Sequence, residues 1–294
     1  MGDASLAIYL KEFAQRLRPR LLAAVEANDH EHTPRLKEAL GYTLLAPGKR
    51  IRAAVIDLWS RCGSADQASL VLDAATAVEL IHSSSLILDD LPSMDDARTR
   101  RGLPCCHLVF GVDTAILVAT ANLARAFEIL SEVDSRTKGT AVTSLFAKAV
   151  GIEGMIGGQH VDLHLEPENR TLDTLEYIHR HKTGELFGAC ARAGVRLALA
   201  DERLEEIAAN YARNLGLAFQ IKDDLLDAFG HSKEMGKDAR KDRGKATFVS
   251  TLGAEASEEI MNQLLATARE SLRHLEGADP LLLELCTFVR TRRN

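Results

Sequence analysis

The chain has 294 residues, of which 46% are hydrophobic and 27% charged, so we expect a soluble globular protein with one large domain or two modest ones. The net charge of −6 argues against a dedicated nucleic-acid-binding protein, because neutralising phosphates requires a basic surplus. No stretch of 18 uncharged apolar residues occurs, which predicts no transmembrane segment, and five scattered cysteines without a CxxC pair predict a reducing, cytoplasmic location with no disulfide or zinc framework.

The sequence pattern is helical along nearly the whole chain. Apolar residues recur at spacings of three and four, as between Leu70 and Ile81, and no alternating β-branched run is long enough for a sheet. With breaks mostly at prolines and glycines, the pattern predicts about ten helices over 4–28, 34–44, 48–63, 66–90, 94–100, 112–131, 136–165, 172–198, 202–229 and 245–290, the last divided near Gly253 and Gly277. Because no linker or repeat interrupts the chain, we expect a single all-α domain over residues 1–294.

The third predicted helix begins with a basic segment, PGKRIR, which holds Lys49, Arg50 and Arg52. A helix N-terminus favours anions, and Lys49 and Arg52, three residues apart, are expected to share a helix face. Arginine suits bidentate contacts to phosphate, whereas lysine acts as a point charge. The segment therefore predicts a phosphate site, with a solvated charged surface as the alternative.

The fourth predicted helix ends in a cluster of acidic residues. The segment LILDDLPSMDDARTRRG holds Asp89, Asp90, Asp95 and Asp96, followed by Arg100 and Arg101. Four carboxylates this close repel one another at neutral pH, and a divalent cation would relieve the repulsion. Ligands of this kind favour Mg²⁺ over zinc or copper. The alternative is a charged helix end paired with the nearby arginines.

A second acidic cluster lies about 134 residues further along, in GLAFQIKDDLLDAFG. It consists of Asp223, Asp224 and Asp227, and the first and last of these lie one helical turn apart on one face. Two apolar helices that both end in carboxylates predict facing helices with metal ions and a polyanion between them. Further cations flank the second cluster, namely Lys182 beside Thr183 in HKTG, Lys237 and Lys245.

The combined pattern predicts metal-assisted chemistry on a diphosphate without a covalent intermediate. Mg²⁺ held by carboxylates usually takes phosphate oxygens as further ligands, and the basic segments supply countercharge for them. The nucleophile elbow GxSxG, the Walker A motif and a convincing GxGxxG motif are all missing from the sequence.

Six segments of the chain occur in the order found in trans-polyprenyl diphosphate synthases: GKRIR, DDLPSMDD with ARTRRG, GMIGGQHVD, HKTG, FQIKDDLLD and GKD…GKAT. Over about residues 45–250 the chain resembles the bacterial farnesyl and geranylgeranyl diphosphate synthases. The resemblance implies an all-α homodimer whose helices surround a deep central cavity, and about three Mg²⁺ per active site. It also implies condensation of isopentenyl diphosphate with dimethylallyl, geranyl or farnesyl diphosphate through ionisation, condensation and elimination.

The resemblance also implies roles for individual residues. The metal ligands would be Asp89 and Asp95, with Asp90 and Asp96 beside them, and Asp223, Asp224 and Asp227. The groups that face the allylic diphosphate or its metals would be Arg100, Lys182, Thr183, Gln220, Lys237 and Lys245. Lys182, Thr183 and Gln220 would also stabilise the carbocation. Isopentenyl diphosphate would be held by Lys49, Arg52, His82 and Arg101.

The residues before Asp89 predict the product length. Ser85 and Ser84 lie four and five residues before Asp89, and Ile81 lies eight before it, roughly 12 Å deeper along a helix. Fifteen-carbon synthases of the family often carry an aromatic residue at the level of these serines, so two small residues favour geranylgeranyl diphosphate. Farnesyl diphosphate is the alternative, and a floor formed by Phe127 or Met155 would favour it.

Two remote alternatives remain. A class I terpene synthase also uses aspartate clusters and Mg²⁺, but it generally lacks the GKRxR and KTG segments. A non-catalytic regulatory subunit of a prenyltransferase typically loses aspartates from one cluster, and this chain keeps both.

Overall fold

The computed structural model describes residues 2–27, 31–63, 67–137, 140–229, 247–273, 275 and 278–292. These residues are almost wholly helical, which confirms the predicted all-α class. The helices are α1 (Gly2–Glu26), α2 (Pro34–Leu44), α3 (Ile51–Trp59), α4 (Ala68–Asp89), α5 (Cys106–Phe110), α6 (Val112–Thr137), α7 (Val142–Val150), α8 (Met155–Leu163), α9 (Leu172–His179), α10 (Glu185–Leu197), α11 (Glu202–Phe229), α12 (Phe248–Leu252), α13 (Ala254–Leu272) and α14 (Pro280–Thr291). Short 3-10 turns cover Ser60–Cys62 and Pro167–Asn169.

Helix α4 is the central element of the fold. It packs against α6, α3, α1, α10 and α2, and its residues are apolar and buried around most of its circumference. A helix that is apolar all round belongs in a protein core, where each large side chain such as Leu80 or Ile81 contributes roughly 1.5–3 kcal/mol through burial. Because α4 ends at Asp89, this rigid element fixes the position of the first acidic cluster.

The predicted helix over 94–100 is wrong. The chain forms turns after α4 and then a hairpin, in which strand β1 (Thr99–Arg100) pairs antiparallel with β2 (Leu103–Pro104). The two loop residues, Arg101 and Gly102, both have positive φ, at 54° and 78°, as a tight two-residue hairpin loop requires. Pro92 and the left-handed Asp96, at φ 46°, also prevent a continuous helix through this segment.

Two long predicted helices are divided in the structure. The one predicted over 136–165 consists of the end of α6 and of α7 and α8, with a break between α7 and α8 that contains Gly151 and Gly154, both poor helix formers. The one predicted over 172–198 consists of α9, a π-helical turn over Arg180–Gly184 and α10. Single π turns inside helices often mark functional sites, and this one contains the HKTG segment.

Two helices, α4 and α6, are long and apolar enough to cross a membrane by length and composition alone. Most of α4 is buried among the other helices, as in the core helix of a soluble protein. Helix α6 is buried along the side that contacts α4, while Val112, Ile116 and Leu117 are exposed on another side. The predicted lack of a transmembrane segment therefore stays a prediction.

Candidate active site

A cavity of about 440 Å³ collects most of the predicted site residues, although they lie up to 178 residues apart in sequence. Those that line it are Lys49, Arg52, His82, Ser85, Asp89, Asp95, Arg100, Arg101, Lys182, Thr183, Gln220, Asp223, Asp224 and Asp227. Four others are described but do not line it, namely Ile81, Ser84, Asp90 and Asp96. Lys237 and Lys245 lie outside the described residues.

The first acidic cluster enters the cavity through Asp89 and Asp95. The backbone N–H of Asp95 donates a hydrogen bond to the Asp89 carbonyl oxygen at 2.9 Å, so the turn after α4 returns the later aspartate beside the earlier one. Burial raises the pKa of the Asp89 carboxyl, and the negative charge of Asp95 raises it further, whereas Lys182 and Arg100 lower it. A cation in this position would therefore relieve a real electrostatic cost of ionising Asp89.

Asp90 pairs with Arg100, whereas the sequence predicted that it lies beside the metal ligands. Its buried carboxylate is paired with Arg100, whose Nη2 lies 2.6 Å and Nε 3.1 Å from Asp90 Oδ1. Burial lowers the pKa of Arg100, but the contacts with Asp90 outweigh this effect and raise it. The expectation that Asp90 and Asp96 lie among the metal ligands does not match this geometry, because neither lines the cavity and Asp90 positions Arg100 instead.

The second acidic cluster lies on α11, which packs against α10, α13 and α14. One face of this helix presents Gln220, Asp223, Asp224 and Asp227 to the cavity. The Gln220 side-chain amide donates to Asp224 Oδ1 at 3.1 Å, and its carbonyl oxygen lies 3.5 Å from the Thr183 hydroxyl. The expected one-turn spacing of Asp223 and Asp227 on one helix is thus present in the structure.

The π turn brings Lys182 to the cavity beside α8. Lys182 Nζ lies 2.7 Å from Asp162 Oδ2, and burial alone would lower the pKa of Lys182, but Asp162 and Asp89 raise it above its usual value. Lys182 is therefore a half-buried positive charge. Gly158 of the GGQ segment allows α8 and the π turn to approach each other closely, because a Cβ at this position would lie 2.3 Å from the Lys182 backbone nitrogen.

The basic segment PGKRIR forms another part of the lining. Arg50, left-handed at φ 53°, donates to the carbonyl oxygens of Leu44 and Ala46 and pairs with Glu79 at 2.7 Å. Arg50 therefore supports the loop that carries Lys49. The prediction that Lys49 and Arg52 share a helix face is wrong, because Lys49 precedes the start of α3 at Ile51, although both line the cavity.

Arg52 and His82 form a contact pair at this end of the cavity. Arg52 stacks over the Phe187 ring with its Cζ 4.7 Å from the ring centroid, and its Nη1 lies 3.2 Å from His82 Nε2. Burial lowers the pKa of His82 well below its usual value, and the positive charge of Arg52 lowers it further. His82 is therefore neutral, and since arginine only donates, Nε2 accepts and the ring proton lies on Nδ1.

The sequence of the chain matches a known family. Residues 33–278 match the sequence profile of the family described as polyprenyl synthetase. The chain belongs to the polyprenyl synthetase family. It is 37% identical over 298 residues to the farnesyl diphosphate synthase of Geobacillus stearothermophilus, covering 99% of both chains. It is 41% identical over 270 residues to geranylgeranyl pyrophosphate synthase 4 of Arabidopsis thaliana, covering 88% of this chain and 71% of that one.

A solved structure has the same fold. The geranyltransferase of Helicobacter pylori, complexed with magnesium and isoprenyl diphosphate, superposes with a TM-score of 0.81 at 30% identity and 95% coverage of both chains. As a polyprenyl synthetase family member, the chain is an enzyme that transfers prenyl groups, of the class that contains the farnesyl and geranylgeranyl diphosphate synthases. Relatives of both names match it, so family membership leaves the product length open.

The donor set of this polyprenyl synthetase cavity fits a divalent cation such as Mg²⁺. Asp89, Asp95, Asp223 and Asp227 offer hard carboxylate oxygens, and ionised Asp89 is costly without a nearby cation. Among the described residues, however, no three His, Cys, Asp or Glu side chains lie close enough to hold a metal by themselves. A cation here would need oxygens from a bound diphosphate, which is how Mg²⁺ is commonly held.

Sequence reasoning missed four ionisable groups in the lining, namely Glu79, Asp162, His179 and Arg292. Asp162 lies in the quoted segment GMIGGQHVD, one turn after Gly158, so its position was available as a signal. Burial lowers the pKa of His179 to about 4, so its imidazole is neutral near Lys182. Glu79 lies in an apolar segment, and Arg292 follows the last predicted helix. Neither residue has a sequence spacing that marks it as part of this site.

Proposed function

We propose that the chain is a geranylgeranyl diphosphate synthase that condenses isopentenyl diphosphate with dimethylallyl, geranyl or farnesyl diphosphate. The observation that carries the proposal is one cavity lined both by a cluster of carboxylates, which suits a metal-bound anion, and by a cluster of basic groups, which suits an anion without metal. One is formed by carboxylates on α4 and α11 with Lys182, and the other by the basic segment with His82 and Arg101. A condensation of two diphosphates needs both sites, and extension of a labelled primer by five-carbon units tests the proposal.

The allylic diphosphate is assigned to the carboxylate side of the cavity. When bound there, Mg²⁺, three ions in our proposal, supplies the positive charge that makes the allylic diphosphate a better leaving group. Asp89 and Asp95 on one side and Asp223 and Asp227 on the other provide the ligand oxygens. Lys182 adds a fixed positive charge, held in place by its 2.7 Å contact with Asp162.

Isopentenyl diphosphate is assigned to the basic side of the cavity. Lys49 and Arg52 supply positive charge, and the neutral His82 has an Nδ1–H to donate. The Arg101 guanidinium packs against Gly48, in the loop that carries Lys49. Its Cζ lies 3.1 Å from the position that a Cβ on Gly48 would occupy. The Glu79 carboxylate, which also lines the cavity, is paired with Arg50, and the basic groups here suit an anion that needs no metal.

The groups between the two sides favour a carbocation. The Thr183 hydroxyl and the Gln220 carbonyl oxygen lie 3.5 Å apart in the lining and offer negative dipole ends near the cleaving bond. The backbone of Lys182 and Thr183, in the π turn, is held against α8 and α11. After the isopentenyl double bond attacks the cation, the departing diphosphate accepts the released proton. Displacement of water from the cavity by the two substrates would limit quenching of the cation.

The depth below Asp89 determines the product length in our proposal, and the structure changes which residues carry the argument. Ser85 lines the cavity, whereas Ser84 and Ile81 do not. The Ser84 hydroxyl donates to the Ala119 carbonyl oxygen of α6 at 2.8 Å, so this serine packs between helices. Small Ser85 still favours a twenty-carbon product. Met155 also lines the cavity and favours the second candidate, farnesyl diphosphate synthase.

We expect Ser85→Phe to shorten the product by at least one five-carbon unit, because the ring would fill the space into which the chain grows. Product alcohols sized after dephosphorylation give the measurement. Ser131→Phe, at an exposed position of α6 that does not line the cavity, is the control and should leave the product distribution unchanged. An unchanged product from Ser85→Phe would mean that other residues set the length.

Helices α5 and α6 favour a homodimer in our proposal. Their exposed surface carries five large apolar residues, Leu108, Val109, Val112, Ile116 and Leu117. An apolar patch on a long helix is typical of a protein–protein interface, and a second copy of this chain would offer an identical patch. Light scattering should give twice the mass of one chain, and a monomeric mass at micromolar concentration would contradict the dimer.

We also propose a cytoplasmic location. All five cysteines are free thiols in the structure, and four of them are buried. Free thiols persist in a reducing compartment, where disulfides are rare. The diphosphate substrates that we assign carry no feature that requires another compartment.

A further inference from the structure

Arg292 lies inside the cavity and contacts the second acidic cluster directly. It follows α14, and its side chain is only 4% exposed. Its Nη2 lies 3.0 Å from Asp223 Oδ1 and donates to the Phe219 carbonyl oxygen at 2.8 Å. Its Cζ lies 3.8 Å from the centroid of the Phe219 ring, so the guanidinium is stacked as well as hydrogen-bonded.

These three contacts fix the guanidinium at one carboxylate of the site. Arginine is charged at every working pH, so the ion pair does not depend on titration. Stacking and the bond to a backbone oxygen orient the planar group, which reduces the entropy cost of holding a long side chain in one place. Asp223 therefore has a positive partner supplied by the chain itself.

We propose that Arg292 is an internal counter-ion that leaves Asp223 when Mg²⁺ binds, and so sets the Mg²⁺ affinity of the second acidic cluster. The inference rests on the proposed function, in which Asp223 is a metal ligand. A guanidinium at 3.0 Å and a cation coordinated to the same oxygen compete for one negative charge. Arg292 is thus a positioning residue, which occupies the Asp223 carboxylate until the metal arrives with its diphosphate.

The test is Arg292→Gln, compared with Arg290→Gln as a matched control. Arg290 lies two residues earlier, is exposed and does not line the cavity, so the control removes the same charge from the same segment. Mg²⁺ is titrated calorimetrically into each full-length protein with saturating inorganic diphosphate. We expect Arg292→Gln to bind Mg²⁺ about tenfold more tightly than the wild type, the effect of losing one charge-assisted contact that competes with the metal. The control should match the wild type.

A second measurement keeps the test valid if the variant is less stable. Without metal, Arg292→Gln removes the ion-pair partner of Asp223, so the melting temperature of the variant should be lower than that of the wild type. Saturating Mg²⁺ with diphosphate should then raise the melting temperature more in the variant than in the wild type. Arg292→Lys keeps the charge but loses the planar geometry, and its Mg²⁺ affinity should lie between the two.

Three outcomes would overturn the inference. Unchanged Mg²⁺ affinity in Arg292→Gln would show that the pair does not compete with the metal. Weaker Mg²⁺ binding would show that Arg292 holds Asp223 in its metal-binding position. If the wild type binds no Mg²⁺ with diphosphate and condenses no substrates, both this inference and the proposed function fail, whereas normal condensation with unchanged affinity rejects the role of Arg292 alone.

Discussion

Replacing Asp89 with Asn is expected to lower kcat on the order of 10³-fold and, at the same time, to make the metal-free protein more stable at neutral pH. Activity falls because Asn cannot supply the carboxylate oxygen that a divalent cation needs at the end of α4. Stability rises because burial and the neighbouring Asp95 make ionised Asp89 costly in the folded state, and Asn removes that charge without changing the shape of the side chain.

The gain in stability should depend on pH in a defined direction. The pKa of Asp89 is raised in the folded protein above its unfolded value of about 3.9, so folding favours the protonated form. The wild type is therefore destabilised progressively as pH rises from the unfolded pKa through the folded one. The stability difference between Asp89→Asn and the wild type should be large at pH 7 and should vanish at low pH, where both side chains are neutral.

Urea unfolding at several pH values, in the presence of a chelator, measures this difference. Asp173→Asn is the control, because Asp173 is exposed on α9 and does not line the cavity. It should have nearly wild-type kcat and no matching pH-dependent gain. An Asp89→Asn variant with near-wild-type turnover would refute the metal-ligand role, whatever its stability.

Glu79→Gln is expected to cost about 3–5 kcal/mol of unfolding free energy, because it leaves the Arg50 guanidinium buried without its anion. The two side chains are 2% and 9% exposed, and they are joined at 2.7 Å. Arg50 also holds the loop through the carbonyl oxygens of Leu44 and Ala46. Loss of this support should displace Lys49, so any folded fraction should have a raised KM for isopentenyl diphosphate.

Glu128→Gln provides the matched comparison. Glu128 pairs with Arg125 at 2.6 Å, but its side chain is 60% exposed, so water replaces the lost contact and the cost should stay below about 1 kcal/mol. Chemical denaturation of both variants gives the two values. Similar small costs would mean that the buried pair with Arg50 does not stabilise the basic loop.

The local sequence pattern was sufficient to identify two acidic segments and one basic segment that the structure brings to a single cavity. Asp89 ends a core helix and Asp223 lies on a largely buried one, so the contrast between apolar helices and acidic clusters was visible without structure. The order of the basic and acidic segments along the chain could also be read from the sequence alone. These are local features, because each depends on residues within a few turns of one helix.

Side-chain direction was harder to predict than segment identity. Asp89 and Asp90 are adjacent, but they point about 100° apart around the end of α4, so one enters the cavity and the other meets Arg100. The hairpin was missed because its signal is a single pair of left-handed residues, Arg101 and Gly102, within a charged segment. The surrounding residues favour a helix by composition, but the left-handed backbone at these two positions produces a hairpin instead.

Contacts between residues far apart in the sequence could not be predicted from residue spacing. Arg292 reaches Phe219 and Asp223 across 69 or more residues of sequence, and Glu79 reaches Arg50 across 29. A spacing rule describes neighbours on one element, whereas these pairs depend on how α14 packs on α11 and α3 on α4. The same packing determines that Ser85, and not Ser84, lines the cavity.

The most direct test of the account is a condensation assay on the purified chain. The protein is incubated with Mg²⁺, labelled isopentenyl diphosphate and, separately, dimethylallyl, geranyl and farnesyl diphosphate, and the products are dephosphorylated and sized. We predict Mg²⁺-dependent extension of each primer to a twenty-carbon alcohol. A fifteen-carbon product would retain the chemistry and assign the floor of the cavity to another side chain, whereas no condensation with any primer would contradict the central claim that this cavity joins two diphosphates.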